Sequence, residues 1–134
     1  MPEATVLCFG TFDVLHKGHE YFLKQARSLG SRLVVSVALD EHVRKLKNKE
    51  PKSSQETRLA AVRKIPMVDE AYLSDGELGT YQIIRKVQPK IVAIGHDQSA
   101  LAEDCQKWIK HNKLDIKIQT VDYLDAEKIP LKLD

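Results

Sequence analysis

The chain lacks most of what marks a specialised class of protein. Its two cysteines, Cys8 and Cys105, stand far apart in 134 residues, so no disulfide framework is available and a reducing compartment is expected. Cys8 falls in an apolar run and reads as a small core residue. Neither a Cys-x-x-Cys nor a His-Glu-x-x-His spacing occurs, so nothing points to a zinc site or to any other protein-built metal centre. No apolar run approaches the ~20 residues that span a bilayer. No basic segment followed by an apolar stretch opens the chain, so no secretory signal is expected. An excess of one charge is missing too: 21 Lys or Arg face 19 Asp or Glu, a net charge of +2. With aromatic residues unclustered and only 6% of the total, neither nucleic acid nor a membrane is an expected partner. Repeats, linkers and low-complexity tracts are absent. What remains, 43% hydrophobic and 30% charged residues, suits one globular domain over residues 1–134 in the cytoplasm.

The pattern alternates between strands and helices. Residues 5–9 predict a buried strand, and 17–29 a helix with Phe22, Ala26 and Leu29 on one face and Gly30 as its stop. Residues 32–39, rich in valine, predict a second strand. Residues 41–52 read as polar, lysine-rich and irregular. Ser53-x-x-Glu56 is a capping-box pattern opening a helix to about Lys64, which Pro66 ends. Strands follow at 67–73, 90–94 and 115–121, with helices from Tyr81 to Val87 and over 99–112. Such alternation implies a doubly wound, Rossmann-like five-stranded parallel sheet with helices on both faces. Ligands of such sheets bind at the carboxyl ends of the strands. Thr11 to His19 follow the first strand, Asp40 and the lysines the second, and Gly95 to Gln98 the fourth, so all open onto one edge.

The most informative stretch runs from Phe9 to His19. It is a strand end, a glycine turn at Gly10, and a helix start carrying His16 and His19. A helix start is an anion site, because its free N–H groups and positive dipole end point outward. Histidines at i and i+3 share one face of the first turn, and Gly18 between them lets a ligand approach the backbone. The cluster suits a phosphate that gains charge during a reaction.

Gly10-Thr11-Phe12-Asp13 followed by His16-Lys17-Gly18-His19 resembles the signature of the cytidylyltransferase-like nucleotidyltransferases, a family that includes glycerol-3-phosphate cytidylyltransferases, phosphopantetheine adenylyltransferases and archaeal-type FAD synthases. Asp40 to Lys47 resembles its lysine-bearing segment, Arg58 the arginine opening the next helix, and Val68-Asp69-Glu70 its Val-Asp-Glu. Gly95-His96-Asp97-Gln98 resembles its Gly-x-Asp motif, the Asp-Gln form being most similar to the FAD synthase branch. The likeness covers roughly residues 5–121. Two departures stand out. Pro66-Met67 occupies the place of an arginine, and Tyr123 to Pro130 replaces a Ser/Thr-rich triphosphate-binding segment with one that has neither residue and is acidic.

The resemblance implies transfer of AMP or CMP from a nucleoside triphosphate to a small phosphorylated acceptor (FMN or glycerol 3-phosphate in type), with release of pyrophosphate. A nucleotide-binding protein with weak or lost turnover is the alternative. His16 and His19 are expected at the α- and β-phosphates. Gly10, Thr11, Phe12, Asp13 and Gly18 are expected around the nucleotide, where Asp13 orients a histidine or helps to place a metal. Gly95 and Asp97 are expected at the base or ribose. Residues 44–64 hold eight Lys or Arg against two Glu. Most of these are solvated, but Lys47, which matches the family position counting from Asp40 and from Arg58, is expected over the departing pyrophosphate. Asp40, Lys49 and Arg58 are expected at the acceptor, Arg58 otherwise serving as an ion pair. Mg2+ is expected to arrive with the triphosphate, and a homodimer is implied. Tyr81 and Trp108 read as packing residues, and His42, His96 and His111 have no partner spacing.

Overall fold

The computed structural model describes residues 4–77 and 79–121. Within them, the strands Thr5–Gly10 (β1), Arg32–Val37 (β2), Glu70–Leu73 (β3), Ile91–Gly95 (β4) and Lys117–Val121 (β5) form one parallel sheet in the order β3-β2-β1-β4-β5. The expected five-stranded Rossmann-like sheet is therefore present. The chain steps outward from β1 to β3, then returns to the other flank of β1 as β4. That reversal opens a crevice at the carboxyl ends of β1 and β4.

Both faces of the sheet are covered, which is why its central strands are apolar at nearly every position. Alternation still assigns the sides. Val6, Cys8, Val35 and Val37 pack with Phe22, Leu23 and Ala26 of the helix Lys17–Arg27 (α1). Leu7 and Val34 pack with Ile83 and Ile84 of Gln82–Val87 (α4) and with Cys105 and Ile109 of Ser99–His111 (α5). Burial raises both thiols out of the reactive range, Cys105 to about 12 with Asp104 adding to the effect. Among the described residues no helix is long and apolar enough to cross a membrane.

Of residues 41–52, expected to be irregular, only 48–52 are. Asp40–Lys47 is a helix (α2). Asp40 and Glu41 occupy its first turn and Arg44, Lys45 and Lys47 its last, so charge opposes the helix dipole at both ends. Asn48 stops it in the left-handed conformation, φ 52°. The next helix, Gln55–Arg63 (α3), is capped one residue later than the pattern indicates. Ser54 Oγ accepts from Thr57 N at 3.2 Å, because the amide of Ser53 is already taken by Asp13. Strand β3 starts only at Glu70. Asp69 holds the strand entrance instead, its Oδ2 accepting from Leu33 N at 2.8 Å. The acidic stretch from Tyr123 to Pro130 lies outside the described residues.

Candidate active site

The first turn of α1 is built by its own histidines. His16 is the N-cap, in extended conformation, and its Nδ1 accepts from Gly18 N at 3.0 Å. His19 reaches back, and its Nδ1 accepts from His16 N at 3.2 Å. This is the reciprocal geometry of a capping box, with two imidazoles in place of Ser and Glu. An Nδ1 that accepts carries no proton, so each neutral ring bears its N–H at Nε2. The rings stack with centroids 3.9 Å apart and planes 25° from parallel. The expected pairing of the two histidines on one face is thus present, and both line the same cleft.

The loop before this turn is strained. Phe12 and Val14 have φ of 54° and 60°, the left-handed region. That conformation is costly for a β-branched residue such as valine. It folds the Phe12 ring back over Gly10, where a Cβ would lie 2.5 Å from the ring. Gly10 is glycine because Phe12 needs the space. Phe12 is buried and lies 5.4 Å from the His19 ring, so its side chain braces the histidine and only its backbone is left for a ligand.

Two anchors fix the basic segment. The carboxylate of Asp13 accepts from Lys52 N at 2.6 Å and from Ser53 N at 2.9 Å. Asp13 therefore ties the loop between α2 and α3 to the turn before α1, and no contact to a histidine is needed to explain it. The second anchor is Arg58, 1% exposed. It donates to Ser53 O at 3.0 Å, to Thr11 O and Ala38 O at 2.8 Å each, and to Asp40 Oδ1 at 2.6 Å. Burial raises the Asp40 carboxyl, but the hydrogen bond and charge of Arg58 outweigh it and hold the group below the ordinary carboxylate range. Neither Arg58 nor Asp40 lines the cleft. The acceptor contact expected of both meets the competing ion-pair reading here, because they are engaged with each other, and Arg58 also with the carbonyls that follow β1 and β2 and with that of Ser53 before α3.

The loop after β4 is closed by Gln98. Its Oε1 accepts from Gly95 N and its Nε2 donates to Phe9 O, both at 2.9 Å, strapping the ends of β4 and β1 together. A Cβ on Gly95 would lie 2.9 Å from Asp97 Oδ1, so the glycine lets Asp97 fold back toward the cleft that it lines.

The cleft has a volume of about 600 Å3. Of the expected residues, it brings together Gly10, Thr11, Phe12, Asp13, His16, His19, Lys47, Lys49 and Asp97. Gly18 and Gly95, expected at the nucleotide, are buried and do not line it. Desolvation, and then the charge of Lys49, hold the Lys47 ammonium below its usual value, while Asp13 and Asp97 pull it back up. The sequence reading missed Lys52, Ser36, Ser74 and His42, which also line the cleft. Ser36 is legible in retrospect as a hydroxyl in an otherwise apolar strand, and His42 as a histidine at a buried helix position. Among the described residues no three His, Cys, Asp or Glu side chains form a metal-holding group, and both Asp13 oxygens already accept amides. This donor set suits a divalent cation carried on a triphosphate and ligated mainly by its oxygens and water.

Comparison with known proteins agrees with the site. A family model described as cytidylyltransferase-like matches residues 7–130. An FAD synthase of Thermococcus onnurineus is 42% identical over 122 residues, 91% of this chain and 81% of that protein. An FAD synthase of Methanothermobacter thermautotrophicus is 39% identical over 127 residues, 92% of this chain and 83% of that protein. A solved structure titled as a lipopolysaccharide core biosynthesis protein from Thermoplasma volcanium superposes with a TM-score of 0.84 at 32% identity, over 92% of this chain and all of that one. With the fold, the histidine turn and these likenesses in agreement, the chain belongs to the cytidylyltransferase-like family and is a nucleotidyltransferase.

Proposed function

We propose that this single-domain nucleotidyltransferase moves AMP from ATP to FMN, forming FAD and pyrophosphate. The observation that carries the reading is the stacked pair His16 and His19, fixed through Nδ1 on a helix N-terminus and facing a cleft that also receives Lys47. The FMN phosphate oxygen attacks the α-phosphorus of ATP in line. The bond to the bridging oxygen of the β-phosphate breaks, and pyrophosphate takes the electron pair. The chain's task is alignment and charge stabilisation. His16 and His19 donate from Nε2 to the α- and β-phosphate oxygens. The amides around Thr11 hold the phosphates, Asp97 lies at the ribose or base, and Lys47 neutralises the leaving pyrophosphate. Lys49 meets the FMN phosphate. Asp40 and Arg58 serve the acceptor indirectly, by holding the loop that carries the lysines. The divalent cation, when bound on the triphosphate, offsets its negative charge. FMN is preferred to glycerol 3-phosphate because the relatives named above are FAD synthases.

The test is chromatographic detection of FAD from ATP and FMN with a divalent metal, beside CTP and glycerol 3-phosphate controls. FAD and pyrophosphate are expected in equal amounts, and His16→Ala or His19→Ala is expected to slow turnover by ~10²–10³. No pyrophosphate from any pairing, or variants matching wild type, would refute the reading. Binding of ATP without turnover would instead support a nucleotide-binding protein.

A further inference from the structure

We propose that the part of the cleft between α2 and α4 is a ring compartment whose polar floor, Ser36, Ser74 and His42, selects the acceptor by reading an imide edge. The proposal rests on the FMN reading above and adds the residues that recognise the flavin ring. Ser36 is fully buried and shares a hydrogen bond of 2.8 Å with Ser74. Two hydroxyls carry two protons, and the bond between them uses one. The second is left on Ser74, which is only half-buried and lines the cleft, so it is available to a ligand. His42 is 5% exposed. Its Nε2 lies 3.3 Å from the carbonyl of Gly76. A carbonyl only accepts, so Nε2 carries the proton and Nδ1 is left as an acceptor. The floor thus offers one donor and one acceptor to a ligand.

The walls are apolar and include Val43, Tyr81 and Ile83. Tyr81 is locked by a 2.6 Å hydrogen bond to Asp104 and packs edge-on against Phe9. Leu46, 69% exposed, stands at the rim, where a flat ligand would cover it. Asp75 and Glu77 follow Ser74 along the same rim and disfavour a phosphate there, which leaves the lysine side for that group. A neutral, flat ring with an apolar face and a carbonyl beside an N–H on its edge meets all of these features. The pyrimidine edge of isoalloxazine has that form, whereas glycerol 3-phosphate has neither face nor edge.

The probes are riboflavin and N3-methylriboflavin, titrated against the full chain by flavin fluorescence and calorimetry. Wild type is expected to bind riboflavin about tenfold more tightly than the N3-methyl form, the usual worth of one hydrogen bond left unpaired. His42→Phe should erase that preference, and Ser74→Ala should weaken riboflavin by a similar factor, with ATP affinity unchanged in both. Equal binding of the two flavins by wild type would overturn the ring compartment, even if FMN is adenylylated. The same follows if His42→Phe retains the preference. A preference without any FAD formation would support the compartment and refute the adenylyl-transfer reading. No flavin binding at all would overturn both.

Discussion

Replacing Arg58 by alanine removes one guanidinium and strands four acceptors at once: the carbonyls of Thr11, Ala38 and Ser53 and the Asp40 carboxylate. Taking one partner from a buried ion pair costs ~3–5 kcal/mol, because the other charge stays behind uncompensated. Each orphaned carbonyl adds ~1–3 kcal/mol unless water reaches it. A loss of ~4 kcal/mol is therefore a low figure, against a total stability of ~5–15 kcal/mol. At roughly 3 °C per kcal/mol for a domain of this length, Tm should fall by about 12 °C. Calorimetry and urea titration measure it directly. Arg58→Lys keeps the charge, but one ammonium cannot reach acceptors spread over three loops, so it should fall between the two. Asp40→Asn combined with Arg58→Met should be milder than the sum of the single changes, because the stranded charge is gone. The reasoning is refuted if Arg58→Ala leaves Tm unchanged and raises only the KM of the acceptor. Arg58 would then touch substrate.

Asp13→Asn should weaken both amide bonds to Lys52 and Ser53. The expected result is a lower kcat with a small loss of stability, read by steady-state kinetics beside thermal melts. Lys47 is held below its usual pKa, so its charge opposes folding at neutral pH, a penalty relieved only as pH rises through the folded value. Lys47→Gln should therefore leave the Tm of the ligand-free protein unchanged or higher while lowering kcat by ~10². Asp40 has the opposite sign. Its folded pKa is depressed, so its contribution is present above the unfolded value of about 4 and is lost as pH falls through the folded one. Stability against pH should thus be flatter below pH ~4 in Asp40→Asn than in wild type.

The sheet and the histidine turn were legible because period and position announce them. Val6 to Cys8 and Leu33 to Val35 are uninterrupted apolar runs, and His16 with His19 stands directly behind a glycine turn. Helix α2 was hidden because it buries little apart from His42 and Val43, and a helix stabilised by end charges resembles a solvated loop in sequence. Ser53 looked like the cap because Asp13, 40 residues earlier, is invisible to any local pattern. Arg58 looked like a phosphate ligand for the same reason. Only folding brings the carbonyls of Thr11 and Ala38 to it. His42 had no neighbour in sequence, since Gly76 arrives from a different crossover.

The imidazoles that begin α1 also limit what evolution or a protein engineer can do with the motif. A replacement at position 16 must accept from the amide of Gly18 and, in the mechanism proposed above, still present an N–H to a phosphate. Alanine does neither, and serine or aspartate can start the helix but brings no N–H. Asparagine alone among small side chains combines both abilities. In the proposed mechanism folding and turnover therefore draw on the same two rings, and a search for active variants at this position has little room to move.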